Sequence, residues 1–195
     1  MGTSIYCNSA IGELLQNARE CCDNVQLKTK KGLSKYLGIT HERLTRIESG
    51  LSKPEFELAM DWCHATGAKL NQQAIKHIYG VGLPPTDPRL TQDLNLQLMN
   101  YIKQAEEGIA AAKEIMNLQV TTRSWKHDEK KKHEYAVHAK EIFDTIQATQ
   151  CVVQALEQVH FGIMEQIQRS WLQKAMAENV IIQSVDSLMN LTKVL

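Results

Sequence analysis

Beyond residue 88 the chain has no proline, and glycine recurs there only as Gly108 and Gly162. So few breakers exclude a turn-rich all-β architecture for that half and leave room for long helices. Aromatic residues are scarce, at 6%, which favours an aliphatic, helix-rich core over a sheet. No stretch approaches 18 consecutive apolar residues, so no membrane-spanning helix is expected. The five cysteines (Cys7, Cys21, Cys22, Cys63 and Cys151) are odd in number and show no C-x-x-C spacing, which speaks for reduced thiols in a cytoplasmic setting. The start, MGTSIYCNSAIGELL, lacks the basic region and apolar run of a signal peptide, and Tyr6 stands where a myristoylation signal wants Ser or Thr.

The net charge of zero conceals an asymmetry. Residues 1–82 carry 10 Lys and Arg against 8 Asp and Glu, and Lys28–Lys53 alone holds seven basic against two acidic residues. Such a cluster attracts polyanions, although a charge run is more often only a solvated face. Three of the four prolines fall in GVGLPPTDPRLTQD, Gly80 to Asp93. This predicts a helical domain over 1–79, a Pro-rich linker over 80–93, and a second helical domain over 94–195.

The first region reads as several short helices. AIGELLQNARECC puts Ile11, Leu14, Leu15 and Ala18 on one face. Thr29 is placed to cap a helix through Tyr36 with Leu33 and Leu37 inward, and Thr40 to cap the next with Leu44 and Ile47 inward. Pro54 marks a further helix start and Gly67 its stop.

The spacing from Thr29 to Gly50 resembles the helix-turn-helix of the Xre/Cro/C1 repressor family. Leu33, the Leu37-Gly38 turn, Ile39, the cap Thr40, the inward Leu44 and Ile47, and RIESG followed by Pro54 stand at the family's positions. The match covers about residues 9–70. Ser34 replaces the usual Ala, the loop CDNVQLKTKKG is longer than usual, and Lys30 stands where the family often has a base-contacting Gln. The resemblance implies an all-α chain whose first part is a five-helix lambda-repressor-like domain. It further implies a transcriptional regulator, a repressor, bound to double-stranded DNA in a prokaryotic or phage setting. The second helix of the motif would lie in a major groove with His41, Glu42, Arg43, Thr45 and Arg46 toward the bases. Lys30, Lys31, Lys35 and Lys53 would meet phosphates. Glu48 reads as structural, and Arg46 either as a phosphate contact or as its ion-pair partner.

The second region carries a heptad-like alternation. Leu98, Ile102, Ala105, Ile109, Ala112 and Met116 are spaced 4,3,4,3,4. After a break at TTRS, Tyr135, Ala139, Ile142, Ile146, Thr149, Val153, Leu156, His160, Ile163 and Ile167 continue it, and Trp171, Ala175, Val180, Ile181, Val185, Leu188 and Leu191 form a third series. The plain reading is an antiparallel three-helix bundle. The sharper one is a helix of some 40 residues, too long for a compact domain, which joins copies as a coiled-coil-like dimer or tetramer. Leu98, Ile102, Ile109, Ile142, Ile146, Val153, Leu156, Ile163 and Ile167 are the residues expected to do so. His160 would then be a core or interface histidine.

No catalytic pattern stands out. Cys63 and His64 are neighbours, but adjacent helical residues point about 100° apart. His127, His133, Glu134 and His138 lack metal-ligand spacing, and interleaved lysines would repel a cation. No cofactor motif occurs. Two other readings stand beside the regulator: C-terminal helices that sense a small-molecule or peptide inducer, and a protein–protein adaptor that does not bind DNA.

Overall fold

The computed structural model describes residues 5–121, 129–184, 187 and 189. The chain is all-α, with nine helices and no strand among the described residues. It divides into two compact units between Thr86 and Asp87.

The first unit holds α1 (Ala10–Glu20), α2 (Val25–Lys28), α3 (Lys30–Tyr36), α4 (His41–Glu48), α5 (Phe56–Thr66) and α6 (Lys69–Ile78). Six helices therefore stand where five were expected. The extra one is a single turn inside the long loop, started by the Asn24 side chain, which accepts from the Gln26 N–H. Thr29 ends it and begins the next: its hydroxyl donates to Gln26 O at 2.9 Å and accepts from the Gly32 N–H at 3.0 Å. Thr40 caps α4 by accepting from the Arg43 N–H. Each such cap satisfies an otherwise orphaned donor and contributes about 1 kcal/mol. The inward rows of these helices meet in one core of Ile11, Leu15, Leu33, Leu44, Ile47, Trp62 and Ile75, none more than 2% exposed. Full burial of such side chains is worth about 1.5–3 kcal/mol each.

The second unit holds α7 (Leu94–Thr121), α8 (Glu129–Val159) and α9 (Ile163–Ala177). The expected 40-residue helix is not there. The chain breaks at His160–Gly162, where Gly162 turns with φ +81° and the Glu157 carboxylate accepts from the N–H groups of Gly162 and Met164. The apolar alternation runs on across this break, which is why periodicity alone could not locate it. His160 consequently lies exposed in a turn rather than at a helical core position. Val185, Leu188 and Leu191 of the third apolar series, and His127, lie outside the described residues.

α7 and α8 form an antiparallel hairpin. The Gln158 side chain donates to the Thr91 hydroxyl at 3.0 Å near the open end, Gly108 lies against Thr145 in the middle, and Gln119 donates to the Tyr135 hydroxyl at 2.8 Å near the other end. Apart from Gln97, whose amide donates to Leu90 O, the residues buried along the hairpin are small: Gly108 and Ala111 from α7, and Ala148, Cys151 and Ala155 from α8.

Candidate nucleic-acid interface

The link between α3 and α4 is fixed by its backbone. Gly38 takes φ +66°, the Ile39 N–H donates to Ser34 O at 3.0 Å, and the Gly38 N–H donates to Lys35 O at 3.3 Å. This is a Schellman ending, which stops α3 within one residue and redirects the chain into Thr40. Gly50 closes α4 in the same way, with its N–H on Ile47 O and that of Leu51 on Arg46 O.

α4 turns Leu44, Ile47 and Glu48 inward. Glu48 is held by Arg19 of α1 through two hydrogen bonds, 2.5 Å from Nε and 3.1 Å from Nη2, and by Lys30 Nζ at 3.2 Å. Burial works against the Arg19 charge, but the bonds and charges of Glu48 and, behind it, Glu20 together outweigh it and hold the guanidinium above its ordinary range. Arg19 is the residue that sequence reasoning missed. Its signal was a cation beside the inward Ala18, matching a carboxylate beside the inward Ile47.

His41, Glu42, Arg43 and Arg46 are exposed on the opposite side of α4. Arg46 has no ion-pair partner among the described residues, while Arg43 Nη2 lies 2.9 Å from Glu55 Oε2. Both members of that pair face solvent, so it is worth about 0.2–1 kcal/mol and is readily exchanged for another acceptor. Thr45 differs from its neighbours: it is half-buried, and its hydroxyl is buried without a hydrogen-bond partner among the described residues. Of the lysines, Lys31 and Lys35 are exposed, and Lys30 is tied to Glu48. Lys53 is exposed, with Nζ 3.5 Å from Asn8 Oδ1 and 4.6 Å above the Tyr79 ring. Tyr36, next to Lys35, is 65% exposed and was not on the expected list.

Elsewhere, Cys63 is buried, which pushes its thiol up to about 12, and its neighbour His64 is exposed. Among the described residues no three His, Cys, Asp or Glu side chains come together as a metal site. No described helix is long and apolar enough to cross a membrane. In the second unit, Leu98, Ile102, Ile109, Ile142, Ile146 and Ile167 are exposed, and Val153, Leu156 and Ile163 are half-buried. No family model, curated protein or solved structure matches the chain.

Proposed function

We propose that the chain is a sequence-specific DNA-binding regulator of transcription, a repressor, which lays α4 in a major groove and acts as a dimer or tetramer. The observation that carries this reading is the exposed turn His41-Glu42-Arg43, with Arg46 behind it, presented by a helix whose other side is locked into the core by Leu44, Ile47 and the Glu48–Arg19 pair. Base readout needs side chains on a rigid support, because ordering a mobile one on binding would consume the discrimination it provides. Arg43 offers two donors to the O6 and N7 of guanine once it leaves Glu55, and Glu42 accepts from the cytosine amino group. Lys31, Lys35 and Lys53 supply phosphate contacts that set the register of the docked helix. Lys30, held by Glu48, serves first as internal neutralisation. A single eight-residue helix touches few base pairs, so useful specificity calls for two heads on a two-fold site.

Fluorescence anisotropy on duplex DNA across a salt series tests the reading. The expected result is a preferred sequence and a log–log salt slope of about −0.9 per phosphate neutralised. Arg43→Ala should flatten the preference between sequences, while Lys35→Ala should weaken all duplexes alike. Absence of binding at low salt overturns the proposal.

A further inference from the structure

The hairpin of the second unit has its bulk on the outside. At 100° per residue, Leu98, Ile102, Ala105, Ile109, Ala112 and Met116 fall along one line of α7. The buried Gly108 and Ala111 lie about a third of a turn to one side of that line. On α8, Tyr135, Ala139, Ile142, Ile146, Thr149 and Val153 form a second line, displaced by about the same angle in the same sense from Thr145, which meets Gly108, and from the buried Ala148, with Cys151 and Ala155 further round toward the back of the helix. Equal displacement in one rotational sense, on two helices running in opposite directions, brings both lines to the same side of the hairpin. The register fixed by Thr91–Gln158, Gly108–Thr145 and Gln119–Tyr135 then sets them level. Leu98 stands across from Val153, Ile102 from Thr149, Ala105 from Ile146, Ile109 from Ile142, Ala112 from Ala139 and Met116 from Tyr135. These six rungs extend about 27 Å along the helices and contain no charged residue.

We propose that this face binds a second copy of the chain, the two hairpins closing into a four-helix bundle. Three observations select that occupant. Ile102, Ile109, Met116 and Ile146 are each more than half exposed, and with their neighbours they leave open several hundred Å² of apolar surface. That exceeds what scattered surface residues leave and approaches the ~800 Å² per partner of a stable interface. A face without charge offers nothing to a phosphate backbone or a charged peptide. Finally, two adjacent rungs differ in bulk: Ile109 and Ile142 stand beside Ala112 and Ala139. A two-fold axis between those rungs sets the bulky pair of one copy over the small pair of the other and overlaps the four rungs from Ala105–Ile146 to Met116–Tyr135 in an isologous contact. The proposal rests on the regulator reading for its purpose, since two heads must be joined. Its test is run without DNA, so the two readings fail separately.

The test is sedimentation equilibrium of the full chain beside Ile109→Lys/Ile142→Lys, with circular dichroism on both. Wild type should be a dimer, or a tetramer built from it. The double lysine variant should be a monomer that keeps its helices, because both side chains are already exposed. Should that variant lose its helices, Ile109→Ala/Ile142→Ala decides, since alanine favours helix at both sites. Its dissociation constant should rise by about tenfold or more. A monomeric wild type overturns the proposal, as does a folded lysine variant with wild-type mass or an alanine variant with unchanged association.

Discussion

The two units bury opposite kinds of side chain. In the first, Trp62 and six large aliphatics are sealed, and exposed positions are charged or polar wherever α4 faces out. In the second, the sealed positions are small or polar (Thr91, Gln97, Gly108, Ala111, Ala148, Cys151, Ala155 and Ala175), while Ile102, Ile109 and Ile146 are left in the open. Small residues let two helices approach closely, but they remove little apolar area from water, so the seam of the hairpin gains mainly dispersion contact. The first unit has the makeup of a finished fold. The second has that of half a fold, and its stability should depend on what covers it.

The strongest way to break this contrast is to attack the first unit at its charged centre. Glu48→Ala leaves the buried Arg19 with only Glu20 and the Lys28 carbonyl as partners, a loss that costs up to about 3–5 kcal/mol. Thermal denaturation of the full chain should show an early transition belonging to the first unit. The helices of the second unit should melt where they did before. A single shift of the whole melting curve would mean that the units are not independent, and the contrast would lose its meaning.

What could be read beforehand follows from the range of each signal. The caps Thr29 and Thr40, the Gly38 turn and the inward rows of α1, α3 and α4 are local, and they stand where spacing put them. The turn of helix at Val25–Lys28 has no buried residue, so it leaves no apolar period to detect. The seam of the hairpin is hidden for the same reason: glycine, alanine and cysteine carry no hydrophobic contrast, and the conspicuous 4,3 row belongs to the outer face. At α4 the outward His41, Glu42, Arg43 and Arg46 were legible, but the half-buried placement of Thr45 and the partners of these residues were not. Glu55 beside Arg43 and Lys30 beside Glu48 are joined only once the helices pack.

A smaller effect compares the units through two buried thiols. Cys63 is 2% exposed in the first core, and Cys151 is 5% exposed in the hairpin seam. With its thiol near 12, Cys63 would be thiolate in only roughly one molecule in ten thousand at pH 8, and it must also wait for the core to open. Labelling with a thiol reagent, resolved by mass spectrometry, should modify Cys151 about tenfold or more faster than Cys63, because opening a thin seam requires less than opening a packed core. The Cys151 rate should also fall as protein concentration rises, whereas the Cys63 rate should not. Equal rates at both sites would place the hairpin on the same footing as the first unit.

The finest comparison uses two glycines, one at a close helix contact in each unit. A Cβ added at Gly12 would meet the backbone oxygen of Ile47 at 2.5 Å and that of Glu48 at 3.0 Å. Those carbonyls are pinned by the Gly50 ending of α4 and by the packing of Ile47, so α1 and α4 would have to part. Gly12→Ala should therefore destabilise the first unit by about 1–3 kcal/mol, and on the proposed reading it should weaken DNA binding by displacing α4. A Cβ at Gly108 would meet only the Thr145 methyl, at 2.8 Å, with the next atom at 3.6 Å. Turning that methyl aside disturbs the Thr145 hydroxyl, which donates to Ile142 O at 2.6 Å, but alanine in mid-helix returns about 1 kcal/mol of propensity. The two terms nearly cancel, so Gly108→Ala should leave stability within about 0.5 kcal/mol of wild type. Chemical denaturation of both variants decides it. If Gly108→Ala loses as much as Gly12→Ala, the seam is a rigid core in its own right, and the exposed isoleucines need another explanation.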